Sequence, residues 1–176
     1  MYRVFQPGKW IIIPALVLTA CFSFSTEPQR QAIGADRCGE CHRSRRLGDQ
    51  YATWKRGPHG GAFMLLQSPE AKRLAAASGL VKPATESPEC LRCHATSGVL
   101  GLTDADPSLT TEGVGCESCH GPGKQYSELS VMQDRPKAIS KGLNPGSLAD
   151  CNRCHNSSSH AVQPLDAETA WAHMGH

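Results

Sequence analysis

Glu112-Gly113-Val114-Gly115-Cys116-Glu117-Ser118-Cys119-His120-Gly121-Pro122-Gly123 is the stretch that decides how this 176-residue chain is built. Its centre is Cys-x-x-Cys-His, the peptide that attaches a c-type haem. The two thiols form thioethers with the porphyrin, and the adjacent histidine reaches the iron as proximal ligand. A single Cys-x-x-Cys also begins zinc sites and redox pairs. Here the whole pentapeptide recurs at Cys38-Gly39-Glu40-Cys41-His42, Cys90-Leu91-Arg92-Cys93-His94 and Cys151-Asn152-Arg153-Cys154-His155. Histidine follows the second cysteine every time, which zinc geometry does not require. The expected cofactors are therefore four haem c groups, with His42, His94, His120 and His155 as proximal ligands.

Eight of the nine cysteines are consumed by these motifs, and the ninth is Cys21. It follows an export-type leader: Arg3 and Lys9 supply positive charge, and Trp10 to Leu18 a short apolar core. That core is well below the roughly 20 residues of a membrane span. Leu18-Thr19-Ala20-Cys21 looks like a lipoprotein processing site, so residues 1–20 read as signal peptide and Cys21 as the lipidated residue. Residues 21–35 then form a tether, and residues 36–176 the haem domain. The fourteen residues after Cys21 reach at most about 46–50 Å. Several acyl chains anchor stably where one is marginal. Haem attachment outside the bacterial cytoplasmic membrane agrees with export. The expected location is the periplasmic side or cell surface, with Phe22 leaning towards the outer membrane.

Only ten of the 176 residues are aromatic, and the apolar fraction is 39%. The peptide alone would make a poor core, so the chain is expected to wrap around four closely packed haems and to be largely unfolded without them. Charge is nearly balanced at +2, and without Arg3 and Lys9 it falls to zero. Haem propionates make the loaded domain anionic, and nothing points to nucleic acid. Arg37, Arg43, Arg45 and Arg46 gather around the first motif, as partners for propionates or as a solvated patch.

The chain reads as mainly α with extensive irregular stretches. Asp49 to Arg56 predicts a short helix ended by Gly57-Pro58. Ser68 caps a second from Pro69 that Gly79 ends. Residues 98–112 read as a polar surface loop, and Tyr126 to Met132 as a helical turn. Ser147 is placed to cap the helix of the fourth motif, and Asp166 to His176 reads as a terminal helix. No strand-like alternation stands out.

Four histidines remain for the distal sides of the irons: His59, His160, His173 and His176. His59 has the strongest local case, following a helix end beside Gly60-Gly61. His173 and His176 lie three apart, roughly on one helix face. His160 is close enough to His155 to serve only a neighbouring haem. Met64, Met132 and Met174 are the other soft donors.

From Arg37 to His176 the chain resembles the tetrahaem cytochromes of the c-554 type. The likeness rests on Trp54-x-x-x-x-His59, Cys90-Leu-x-Cys-His94 and Gly113-Val-x-Cys116-Glu-x-Cys-His-Gly-Pro-Gly123. It continues through Cys151-x-x-Cys-His155-Asn156, Pro164-Leu165, Ala170-Trp171 and His176. The resemblance implies a small multihaem cytochrome of short helices around stacked haems, with two histidines at most irons. It implies distal roles for His59 and His176, and argues against His160 and His173. Many relatives carry a distal histidine where this chain has Tyr126. One iron is therefore left to His160, His173 or an open position.

Electron transfer through the haems, with redox proteins as partners, is the function these features favour. A small-molecule redox enzyme, reducing nitric oxide for example at a five-coordinate haem, is the alternative. A subunit of a larger redox complex, a homo-oligomer or a haem filament is the third. No acid–base constellation singles out a catalytic site.

Overall fold

The computed structural model describes residues 31–156 together with residues 166 and 169–171. Helices and turns make up the fold, and no strand occurs among the described residues. Helix α1 (Ala35–His42) carries the first motif and packs on α2 (Gln50–Arg56). Glycine at position 39 makes that contact close: a Cβ there would meet the Tyr51 ring at 2.6 Å. Tyr51 is buried, and its hydroxyl bonds Asp36.

A short helix α3 (Ala62–Leu65) and the better formed α4 (Pro69–Ala77) follow. The start of α4 follows the sequence expectation. Pro69 occupies the first turn, the Ser68 hydroxyl accepts the Ala71 N–H at 3.1 Å, and Gly79 takes φ +67° beyond its end. Helix α5 (Pro88–His94) carries the second motif and packs against α6 (Thr96–Val99). Gly98 permits this approach, since a Cβ there would lie 2.2 Å from the Leu91 carbonyl oxygen.

Residues 98–112 depart from the expected loop. Helix α7 (Pro107–Thr111) forms there because Asp106 accepts the Ser108 N–H at 2.9 Å and Pro107 sits at the first helical position. The third motif opens α8 (Glu117–His120), followed by a 3₁₀ turn at Gly123–Gln125. The expected turn near Tyr126 is α9 (Leu129–Met132), and it pairs with α10 (Arg135–Ser140), capped by Asp134. The fourth motif begins in α11 (Leu148–Cys151). Ser147 precedes it but does not cap it: its hydroxyl donates to the Asp150 carboxylate instead. Of the expected terminal helix, residues 169–171 are helical and the remainder lies outside the described residues.

Among the described residues, two small apolar clusters serve as core. One holds Phe63, Leu66, Ala75, Ala84 and Ala95, and the other Tyr126, Val131 and Ala138. The largest fully buried side chains are polar: Glu117, Thr96 and Ser87. Met64, Leu65, Val81 and Leu129 are exposed. The described peptide thus hides little apolar surface of its own.

Residues 31–35, assigned to a tether from sequence, are part of this fold. The N–H groups of Ile33 and Gly34 donate to Glu117 at 2.8–3.0 Å, and Ala35 donates to Glu112 at 2.9 Å. The Gln31 carbonyl accepts from Lys124.

Candidate haem-binding site

The four motifs converge. Cys38 of the first motif neighbours Cys116 of the third, and its Sγ faces the Gly34 carbonyl at 3.6 Å. The neighbouring Cys116 thiol, then burial, pushes the Cys38 thiol up, while the proximity of Cys38 lowers Cys116. Cys119, raised mainly by burial, lies in the field of Cys151 of the fourth motif. Cys154 is pushed up to about 12 by burial and by Cys93 of the second motif. The spatial order is therefore first, third, fourth, second. Backbone contacts reinforce it: the Arg153 guanidinium of the fourth motif donates to the Ser118 carbonyl of the third, and Cys154 Sγ faces the Arg92 carbonyl at 3.8 Å.

Two of the histidines expected as proximal ligands are held as metal ligands need to be. His94 Nδ1 lies 2.9 Å from the Ala62 carbonyl, and His120 Nδ1 lies 2.8 Å from the Asn144 carbonyl. A carbonyl can only accept, so Nδ1 carries the proton and Nε2 keeps its lone pair for a metal. Asn144 also donates its N–H to the His120 carbonyl at 2.9 Å, bracketing the residue. His42 closes α1 and is half-buried. His155 Nδ1 is buried without a hydrogen-bond partner. These donor sets fit c-type haem: paired thiols one helical turn apart, each followed by an imidazole. A structural zinc site needs about four converging ligands. Among the described residues, no three histidine, cysteine, aspartate or glutamate side chains gather in that way.

His59 stands beside the fourth motif. Its ring centre lies 6.0 Å from that of His155, with the planes at 76°. Burial, then the neighbouring imidazole, lowers its pKa and favours the neutral form that binds metal. The loop is fixed through its backbone and not through the ring. The Val114 N–H donates to the His59 carbonyl at 2.9 Å, and Trp54 Nε1 donates to the Val114 carbonyl at 2.8 Å. Gly113, at φ +86°, lets the strands of chain meet; a Cβ there would lie 2.4 Å from the His59 oxygen. Three of the sequence markers, Trp54, His59 and Gly113-Val114, are thus one clamp. His160, His173, His176, Met174 and Cys21 lie outside the described residues.

Tyr126 is buried. Its hydroxyl donates to the Gly121 carbonyl at 2.6 Å and approaches that of His120 at 3.2 Å. It latches the turn after the third motif. Burial is the main reason its phenol is raised.

The arginine cluster divides. Arg43 donates to the Gly39 carbonyl at 2.9 Å and lies 4.7 Å over the Tyr51 ring, while Arg37 pairs with exposed Glu40. Glu117 counts among the residues of the family resemblance but received no role from sequence, although its carboxylate lies at the centre of the third motif. It accepts from Ile33, Gly34 and Gly123. An acidic residue inside a haem-attachment motif, followed by Gly-Pro-Gly, was the available signal.

Residues 37–121 match the family model described as cytochrome c554 and c-prime. Cytochrome c-554 of Nitrosomonas europaea is 32% identical over 132 residues, which are 67% of this chain and 52% of the relative. The chain thus spans about half the length of that curated relative. No solved structure gives a significant match. With the Cys-x-x-Cys-His motifs, the hydrogen-bonded histidines and the helical fold agreeing, residues 37–121 are similar to the cytochromes of the c-554 type, a family that binds c-type haem covalently.

Proposed function

We propose that this protein is a tetrahaem electron carrier, exported and held to a membrane by lipid on Cys21. The observation that carries the reading is the contact between successive motifs: the chain entering the first lies on Glu117 of the third, Arg153 of the fourth donates to Ser118 of the third, and Cys154 of the fourth faces the Arg92 carbonyl of the second. Haems attached in that order form a path in which each has a neighbour. What the haems supply is one-electron chemistry; what the chain does is fix their spacing, ligands and surroundings.

In this proposal His59 and His155 would together hold the iron of the fourth haem. A metal–imidazole bond is about 2.0–2.1 Å, so two imidazoles trans on one metal have ring centres roughly 6–6.5 Å apart. The 6.0 Å separation supports that pairing. Distal roles for His176, and for His160 or His173 at the remaining irons, stay as proposals from the sequence. Redox proteins are the expected partners, on the periplasmic side or at the cell surface.

Mass spectrometry and haem staining of the intact protein test the cofactor number: four haems are expected, and fewer would overturn the tetrahaem reading. Electron paramagnetic resonance of the oxidised protein tests the carrier function. Low-spin signals from all irons are expected. A high-spin signal abolished by nitric oxide or cyanide would instead favour the enzyme. His59→Ala should turn one haem high-spin, and an unchanged spectrum would remove His59 from the ligand set.

A further inference from the structure

Glu112 lies outside the attachment motifs, and none of the roles above employs it. It is half-buried and lines a cavity of about 330 Å³ together with Asp36 and Lys55. One carboxylate oxygen accepts the Ala35 N–H at 2.9 Å; the other accepts the Thr96 hydroxyl at 2.6 Å. Thr96 is fully buried and has further partners. The Gly113 carbonyl, 3.0 Å away, is a second acceptor for its proton, and the Gly115 N–H donates to its oxygen at 2.8 Å.

A hydroxyl carries one proton and two lone pairs. When Glu112 is ionised, Thr96 donates to it. When Glu112 is protonated, it can donate to the second lone pair of Thr96, which the Ser118 hydroxyl approaches only at 3.5 Å, and Thr96 then turns its own proton to Gly113. Glu112, Thr96, Ala35 and Gly115 keep a partner in both states, so neither state leaves one of them a buried unpaired donor. Glu117 is set differently: three backbone N–H groups face it, and no hydroxyl is among its partners.

We propose that Glu112 is a proton-loading site, binding one proton from water when an electron enters the haems attached at Cys38–Cys41 and Cys116–Cys119. The step balances. A reductant supplies the electron, one ferric centre becomes ferrous, and solvent gives the proton to the carboxylate, so the local net charge is unchanged. The placement suits this role, because Glu112 bonds Ala35 at the start of the helix that carries Cys38 and packs on Gly115, the residue before Cys116. Three charged groups face it: Asp36 from α1 and Glu117 from α8 are negative, while Lys55 from α2 lines the same cavity. Burial raises the Glu112 carboxyl, with Glu117 and Asp36 adding to the effect against its two hydrogen bonds. The cavity gives it a route to water.

This inference rests on the electron-transfer reading, and the experiment separates the two. Midpoint potentials of the holo-protein are measured across mildly acidic to mildly alkaline pH, for the wild type and for Glu112→Gln. Glutamine keeps an acceptor for Ala35 and a donor for Thr96. In the wild type at least one potential should fall as pH rises. In Glu112→Gln that potential should stay near the acid-side value. Reduced-minus-oxidised infrared spectra should show a protonated-carboxyl band that shifts in heavy water and is missing in the variant. Equal pH slopes in the two proteins, or no carboxyl change on reduction of the wild type, would overturn the proposal while leaving electron transfer intact. The infrared measurement on the unmodified protein decides the question even if the variant assembles poorly. A protein that takes up no reducible haem would defeat both readings.

Discussion

Gly113 shows how much one backbone position can carry. Its φ of +86° is the left-handed region, and its missing Cβ lets the His59 carbonyl approach. A side chain at positive φ costs about 1–2 kcal/mol, before any clash. Gly113→Ala should therefore destabilise the protein by at least that amount in denaturant melts. It should also displace the His59 loop, visible as a changed low-spin signal. An unaltered melt and spectrum would mean the clamp between His59 and Val114 is dispensable. Tyr126 makes a contrasting case. Its hydroxyl is spent on the Gly121 and His120 carbonyls, so Tyr126→Phe should cost about 0.5–1.5 kcal/mol and leave the count of high-spin irons as it was. A change in that count would restore tyrosine to the iron's surroundings.

At the scale of elements, the helices are short, and side-chain chemistry rather than length defines them. Ser68, Asp106 and Asp134 each accept a backbone N–H at a helix start, and proline follows within the first turn. The Ser68 start was legible because a strong helix-forming run follows it. The Asp106-Pro107 and Asp134–Pro136 starts were overlooked, because only a few residues of helix follow each and no periodicity can develop. Helices α1, α5 and α11 present the first, second and fourth motifs as rigid turns, and α8 does so for the third. Arg153 ties the fourth motif to the third. Arg153→Ala should therefore weaken that junction, lowering the melting midpoint of the holo-protein. A wild-type midpoint would show that the haems alone hold the two motifs together.

For the whole molecule the question is what supplies the core. The described chain buries small side chains in two separate clusters and places polar Glu117, Thr96 and Ser87 deepest. Apolar burial stabilises by roughly 25 cal/mol per Å², and clusters this small leave little to set against chain entropy. Haem-free protein should accordingly be largely unfolded. Its far-ultraviolet circular dichroism should lack most helical signal and regain it only with haem attachment. Native-like dichroism from the apo-protein would show that the hydrogen-bonded frame around Glu117 and Thr96 suffices.

The attachment residues were legible in the sequence because thioether chemistry demands two thiols and an imidazole at fixed spacing. The mainly helical class was legible for a related reason, since each pentapeptide folds locally as a helical turn. The partner of each motif could not be read this way. That Cys38 meets Cys116, that His59 faces His155, and that Ile33 to Ala35 lie on Glu117 and Glu112 are contacts across long stretches of chain. Spacing in sequence carries no information about such pairs. They depend on which backbone segments approach closely enough to exchange hydrogen bonds, and only the folded chain sets that. Glu112-Gly113-Val114 marks the division: its neighbour Cys116 announced a haem, but its own contacts to Thr96, His59 and Trp54 exist only in three dimensions.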